Sequence, residues 1–414
     1  MVNRISCQTT VPKQLMEVIE MYLVGIDISK YKHNCFIATE TGATLKEFVF
    51  ENNQAGFKSF HQVLEELNPD LEIRIGLEST GHYGTNLKQF IVASGYTYLE
   101  LNPYLTHQFS KARSFRRAKT DKFDAKTISN MLGTVDYKTL HTQFYHINEL
   151  KQLVRDRDDI LTNRSKTLVK LTNILDLTFP EFKPLFNHEL GVTARFILRK
   201  YQTATAIARL TMKDFEGLKS LSKGRLTYPK FSKLKTIAKD TIGIQSSIYT
   251  KRIQMLLNDY DYFDQSLNEI DEEITTLFST CESKLKSIPG LGVIQAATIY
   301  AEIGNIQLFS SSKKLIAYAG FDVSVNQSGM SEFHGRIVKH GSPLLRKAIW
   351  TYALPALKFI PSIHDYYHMK KSKGKHHKVA LTHVCRKLIR IIYFLEFNQV
   401  DYDDTKIKAI SVLE

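Results

Sequence analysis

The order of apolar segments between Tyr22 and Ala125 constrains the fold of this chain most tightly. Tyr22–Ile28, Asn34–Thr39 and Thr44–Phe50 are short apolar or alternating runs joined by turns, which predicts a three-stranded meander. A helix is expected over Gln54–Glu66, a strand over Leu71–Gly76, a helix over Tyr83–Ser94 and a fifth strand over Tyr96–Leu101, ended by Asn102-Pro103. A further helix begins near Asp121. Acids occupy particular places in this order. Asp27 lies near the end of the first strand, and Glu78 follows the fourth within Leu77-Glu78-Ser79-Thr80-Gly81. Asp121 and Asp124 open the last helix, three residues apart and therefore on one face.

Two readings fit the last pair. Asp121 can cap the helix while Asp124 completes a capping-box-like pair. Alternatively the acids hold a divalent cation while the basic residues crowding them, Arg116, Arg117 and Lys119 among them, hold phosphate. Asp27 alone would be a structural strand residue and Glu78 alone a turn acid. All four acids in this order favour the metal. The order resembles the ribonuclease-H-like fold, in which carboxylates from the central strand, a neighbouring strand end and a helix converge on two magnesium ions. The chemistry suits them: Mg2+ prefers hard oxygen ligands. Two ions roughly 4 Å apart activate an attacking oxygen and stabilise the leaving one in phosphoryl transfer.

Charge points to the same substrate class. Lys and Arg number 56 against 42 Asp and Glu, a net charge of +14 with pI near 9.3, which implies a polyanionic partner. The four cysteines, Cys7, Cys35, Cys281 and Cys385, form no zinc or redox spacing, and a reducing compartment is expected. No apolar run has the length of a membrane span and no signal core opens the chain, so a cytoplasmic protein is expected.

From Asn148 to about Cys281 the pattern is helical. Val154, Leu161, Leu168 and Leu175 recur every seven residues before Pro180 and Pro184. Gly191–Lys239 is basic and weakly periodic, with no assignable fold. Ile253, Leu256, Tyr260, Phe263, Leu267, Ile270, Ile274 and Leu277 then form an a/d seam, expected to be a coiled coil joining subunits, the alternative being packing within the chain. Near Ser283 a new domain begins. Ile288-Pro289-Gly290-Leu291-Gly292 reads as a helix-hairpin-helix turn, with Gly290 and Gly292 exposing amides to a DNA phosphate. Gly335 to Ser342 reads as a glycine-punctuated loop carrying Arg336, Lys339 and His340. Lys370–Lys378 is a basic run, a solvated face or a phosphate contact, and Val379–Phe397 an amphipathic helix. The expected division is an extension over 1–20, an α/β domain over 21–135, a helical coiled-coil region with an insert over 136–284, a mainly α domain over 285–400 and a tail over 401–414.

These motifs carry a resemblance. Gly25-Ile26-Asp27, Leu77-Glu78-Ser79-Thr80-Gly81 and Lys119-Thr120-Asp121-Lys122-Phe123-Asp124-Ala125 are similar to the acid motifs of the DEDD transposases of bacterial insertion sequences. That family includes pilin-gene invertases and bridge-RNA-guided recombinases. Ile288–Gly292, Ala317-Tyr318-Ala319-Gly320 and Gln327-Ser328-Gly329 match its C-terminal transposase domain in order and spacing. The resemblance implies a resolvase-like N-terminal domain, a coiled-coil linker and a second catalytic domain. It implies DNA recombination through a nucleophilic serine, here Ser328, assisted by Mg2+ on Asp27, Glu78, Asp121 and Asp124, with Arg336 and Lys339 steadying the phosphate. A guide RNA from the same element and a homo-oligomer, dimer or tetramer, are the implied partners beside DNA. The extension before Met21 and the insert at 191–239 depart from the family pattern. A resolvase-like nuclease that activates water, with Ser328 structural, is the alternative, and a non-catalytic nucleic-acid-binding protein is a third reading.

Overall fold

The computed structural model describes residues 21–78, 83–101, 121–133, 145–186, 190–328, 331–339 and 341–405, which divide into compact units at residue 143/144. In the first unit a five-stranded sheet has the order β3-β2-β1-β4-β5. Its strands are β1 (Met21–Ile28), β2 (Lys32–Thr39), β3 (Thr44–Glu51), β4 (Glu72–Glu78) and β5 (Tyr98–Leu101). β1, β2 and β3 pair antiparallel, as the meander predicts, while β4 and β5 continue the sheet parallel to β1. Parallel strands need crossover connections, supplied here by α1 (Gln54–Glu65) and α2 (Thr85–Ala93). Asn53 caps α1 by accepting from the Gly56 amide at 2.8 Å.

Side chains alternate between the two faces of the sheet. Val24, Ile26, Cys35, Ile37, Ile75 and Leu77 face one way and bury Phe57, Phe60 and Leu64 of α1 with Leu87 and Ile91 of α2. Leu23, Leu99 and Leu101 face the other way, against Ile128, Met131 and Leu132 of α3 (Asp121–Leu132), with Phe36 and Ala38 beside Ala125. Helices thus cover both faces, which explains why β1 and β2 read as nearly continuous apolar runs.

The second unit is mainly helical. Its long members, α4 (Tyr145–Thr178) and α10 (Ser247–Ser279), pair antiparallel: Arg157 meets Asp271 and Arg164 meets Asp264, one index rising by seven as the other falls. The seam residues Ile253, Leu256, Tyr260, Leu267 and Ile274 are buried within the chain. The sequence pattern favoured a partner subunit for that seam; α4 of the same chain fills it instead.

After α5 (Phe182–Leu185), the insert at 191–239 without an assignable fold is a set of short helices: α6 (Val192–Tyr201), α7 (Ala204–Ala208), α8 (Met212–Leu221) and α9 (Tyr228–Lys239). Its core, including Ile197, Ile207, Leu218 and Leu234, closes on Leu171 and Leu175 of α4 and Leu256 and Leu257 of α10. Helices of one to about three turns show little apolar periodicity, so their punctuation carries the signal. Thr203 accepts from the Ala206 amide, and Thr211 with Asp214 forms a capping box that lowers the Asp214 pKa to about 2.

At the other end of the pair, Leu150, Val154, Ile274 and Phe278 join a second core. It is built by α11 (Val293–Ile303), α12 (Ser312–Tyr318), α13 (Pro343–Phe359) and α15 (His377–Asn398), with α14 (Pro361–Ser372) packed beside them. Inside it lies Glu302, whose side chain is 1% exposed. Arg155 donates to it at 2.8 Å and the Ser342 hydroxyl at 2.6 Å. Burial pushes its pKa up, but these two bonds together with the charges of Lys151 and Arg155 outweigh burial and hold it below the ordinary glutamate range. Among the described residues no helix is long and apolar enough to cross a membrane.

Because the native pKa of Glu302 lies below its unfolded value, its contribution to stability is complete above pH ~4.3 and is lost as pH falls through the native value. Glu302→Gln keeps the volume and removes the charge. It is expected to cost about 2 kcal/mol at pH 7 and to flatten the acid limb of the stability profile. Urea titrations from pH 3 to 7 check both effects, and a profile parallel to that of the unsubstituted chain would contradict them.

Candidate active site

The acids of the sheet come together by register. β1 and β4 are parallel, with Gly25 opposite Gly76 and Ile26 opposite Leu77. The next residues, Asp27 and Glu78, therefore stand side by side at the C-terminal ends of neighbouring strands. By alternation both point to the face that carries Gly25 and Gly76.

That face belongs to α3. A Cβ on Gly25 would overlap the Ala125 carbonyl oxygen and the Ser129 amide nitrogen, and one on Gly76 would lie 2.7 Å from the Leu132 side chain. The two glycines let the helix lie flush on the sheet. The Ser129 hydroxyl donates to the Leu23 carbonyl at 2.9 Å, while Ala125 sits over Gly25. The helix thus runs antiparallel to β1 and directs its first turn to the acid end. Asp124 precedes Ala125 and is half-buried, as are Asp27 and Glu78. Asp121 lies one turn earlier with helical backbone; its side chain falls outside the described residues.

Asn34 was missed by sequence reasoning. It pairs with Asp27 across β1 and β2, on the α3 face, and is only 6% exposed. Its side-chain nitrogen is buried without a hydrogen-bond partner. A buried amide left this way costs roughly 1–3 kcal/mol, so it calls for an acceptor brought by a ligand or ordered water. The signal was the residue type: an amide directly before the apolar run Cys35–Ala38, seven positions after the acid.

Among the described residues no three metal-ligating side chains form a group that could hold an ion. Asp27 and Glu78 stand by register at neighbouring strand ends, and the contact of Ala125 with Gly25 brings Asp124 to the same end of the sheet. Arg116, Arg117 and Lys119 lie outside the described residues.

The serine motif belongs to a hairpin of β6 (Asp322–Ser328) and β7 (Ser331–Val338). Ser328 pairs with Ser331 and closes the ladder at the tip, its own side chain outside the described residues. β7 takes in Gly335 to Val338, the first half of the stretch expected to be a loop. Arg336 lies in β7, where the register shifts between Val323 and Val325, and five residues from Ser331. At ~3.4 Å per residue that is about 17 Å from the tip, and Lys339 is further still. Neither stands beside Ser328 along this hairpin, and His340 lies outside the described residues.

The base of the hairpin is fixed to the core. The Ser342 amide donates to the Tyr318 carbonyl at 2.9 Å, and its hydroxyl caps α13 at Leu345 as well as bonding Glu302. Gly341, at φ +115, lies so close to Tyr318 that a Cβ would overlap its carbonyl oxygen.

The glycine turn before α11 also departs from expectation. A four-residue 3-10 turn, Lys284–Ser287, stands where a first helix was expected. Gly290, at φ +72, packs on the Phe359 ring. Gly292 begins α11 with open space around it and no side-chain cap.

Comparison with known proteins adds the family context. Residues 24–180 match a transposase family model of the IS110 DEDD type, and residues 282–368 match that of the transposase IS116/IS110/IS902 family, together more than half of the chain. The chain is 23% identical over 399 residues to the IS117 mini-circle protein of Streptomyces coelicolor, covering 92% of this chain and 95% of that one. It is 23% identical to the 44.8 kDa protein of insertion element IS116 from Streptomyces clavuligerus, over 89% and 93% of the two chains. It is 22% identical to the pilin gene-inverting protein of Moraxella bovis, over 89% and 94%.

Gly25→Ala should push α3 off β1, because both atoms it meets are backbone and cannot swing aside. A loss of about 1–3 kcal/mol is expected, along with disruption of the acid cluster. Thermal unfolding checks the loss, and an unchanged midpoint would contradict the flush contact.

Proposed function

Because the chain belongs to the DEDD transposase family of insertion sequences, we propose that it recombines DNA strands with Ser328 as nucleophile and Asp27, Glu78, Asp121 and Asp124 as the Mg2+ site. The observation that carries this reading is the register that sets Asp27 beside Glu78 under the first turn of α3. The strand order 3-2-1-4-5 with helices on both faces supports a ribonuclease-H-like assignment for this unit.

Bound Mg2+ would supply Lewis-acid stabilisation of the phosphate oxygens. The acids would hold that charge, and the Asn34 amide N–H would donate to an oxygen beside it. The Ser328 hydroxyl forms the Oγ–P bond as the bond from phosphorus to a sugar oxygen breaks, the proton passing to base or solvent. The phosphodiester energy stays in the protein–DNA bond, and return attack by a sugar hydroxyl rejoins strands. A hairpin tip suits this role, because the base of the hairpin is locked at Ser342 and Gly341. In this reading residues 285–400 present the serine and residues 136–284 serve assembly.

A homo-oligomer, dimer or tetramer, fits a reaction that pairs two duplexes. Because α4 fills the seam of α10, a subunit contact would use another face. Ile248, Met255 and Tyr262 recur every seven residues on α10 and are exposed. Guidance by a structured RNA of the same element follows from the family resemblance alone; efficient target choice by RNA-free protein would contradict it.

Ser328→Ala should still bind DNA yet form no covalent adduct. Denaturing electrophoresis of end-labelled DNA with Mg2+ reads this directly. An adduct persisting in the variant excludes Ser328. Nicking without an adduct in the unsubstituted chain favours a nuclease that activates water. Met255→Lys with Tyr262→Lys should dissociate the oligomer in sedimentation, and an unchanged species would move the contact elsewhere.

A further inference from the structure

The stretch from Tyr366 to Leu395 contains eight Lys and Arg, four His and no Asp or Glu, whereas the whole chain has 42 acids among 414 residues. The fold concentrates this charge. Lys370 near the end of α14 and Lys387 on α15 both stand over the ring of Tyr366, at 5.0 and 4.7 Å. The Tyr367 hydroxyl and His377 Nδ1 lie 2.6 Å apart and tie the end of α14 to the start of α15. Between them Gly374, at φ +75, turns the chain so that Lys371, Lys373, Lys375 and Lys378 are all exposed.

Other cations of the chain have carboxylate partners: Lys46 meets Glu66, Lys88 meets Glu100, and Arg199 meets Asp261. Among the described residues none of Lys370, Lys371, Lys373, Lys375 and Lys378 has one. The nearest acids, Asp365 and Asp404, act on Lys387 at the side. The mutual repulsion is felt locally. Burial first, then Lys370, Arg386 and Lys375, hold the His383 pKa below its ordinary value. A solvated surface intersperses charges of both signs; this one does not.

We propose that the α14–α15 turn, continued by the cationic stripe of α15, binds the phosphodiester backbone of nucleic acid. The dimensions fit a polyanion rather than a single small anion. Arg386 and Arg390, one turn apart, continue the charge of Lys378 along α15, and the twelve residues from 378 to 390 at ~1.5 Å each span about 18 Å. That equals roughly five steps of 3.4 Å along one strand. Lysine on a flexible turn follows a phosphate backbone without reading bases, so the contact adds affinity and salt dependence and little sequence preference. The proposal rests on the reading of the chain as a DNA recombinase.

The test uses the full chain and the variant Lys371→Gln, Lys373→Gln, Lys375→Gln, with a charge-matched control, Lys251→Gln, Lys313→Gln, Lys314→Gln. Binding to a labelled duplex DNA and a labelled duplex RNA is measured by fluorescence anisotropy between 50 and 200 mM salt. The turn variant should bind at least about tenfold more weakly, with its salt slope reduced by two to three, since each lost phosphate contact lowers it by ~0.9 on DNA. The control should lose much less. Loss on DNA alone or on RNA alone names the strand this surface holds. Equal losses in variant and control, or an unchanged slope in the turn variant, overturn the surface and leave the recombinase reading intact. An unsubstituted chain that binds neither duplex overturns both.

Discussion

The contact of α3 with β1 sets the geometry of the first unit. A helix can rest this close to a strand only where no Cβ intervenes, and Gly25 provides the gap under Ala125 and Ser129. Everything else about the acid end follows from it. Ser129 anchors the far end of the helix on the Leu23 carbonyl. Ala125 fits against Phe36 and Ala38. The first turn, with Asp124, is left over the ends of β1 and β4. The sheet sets Asp27 and Glu78 side by side through register, and the α3 contact sets the backbone of Asp124 at the same end, so their placement rests on backbone geometry.

The second unit uses a buried charge for a comparable purpose. Glu302 takes hydrogen bonds from Arg155 of α4 and from Ser342 at the start of α13, linking the long helix pair to the base of the β6–β7 hairpin. A buried carboxylate is costly unless it is bonded, and the Ser342 hydroxyl at the hairpin base supplies one of the bonds. Ser328 is then held at the end of a short ladder on a fixed root.

Period and punctuation made much of this legible in the sequence. The five strands, the helices between them and the places of Asp27, Glu78 and Asp124 followed from alternating apolar residues and turn residues. Three features were hidden for physical reasons. The seam of α10 shows that it must be covered, and periodicity alone does not distinguish a helix of the same chain from one of a partner. The helices of the insert are too short for a period, α7 having only five residues. The β6–β7 hairpin has few apolar alternations, and the glycines at 335 and 341 made its end read as a loop until the strand pairing is seen. Asn34 was hidden differently, since a polar residue in a strand acquires meaning only when its cross-strand neighbour is known to be Asp27.

The central claim is that the end of the sheet under α3 is a divalent-cation site. Electron paramagnetic resonance of Mn2+ titrated into the full chain tests it without requiring DNA or activity. The account predicts tight uptake of about two ions per chain by the unsubstituted protein, and loss of that uptake in Asp27→Asn with its thermal unfolding otherwise preserved. Equal Mn2+ uptake by the two proteins would contradict it.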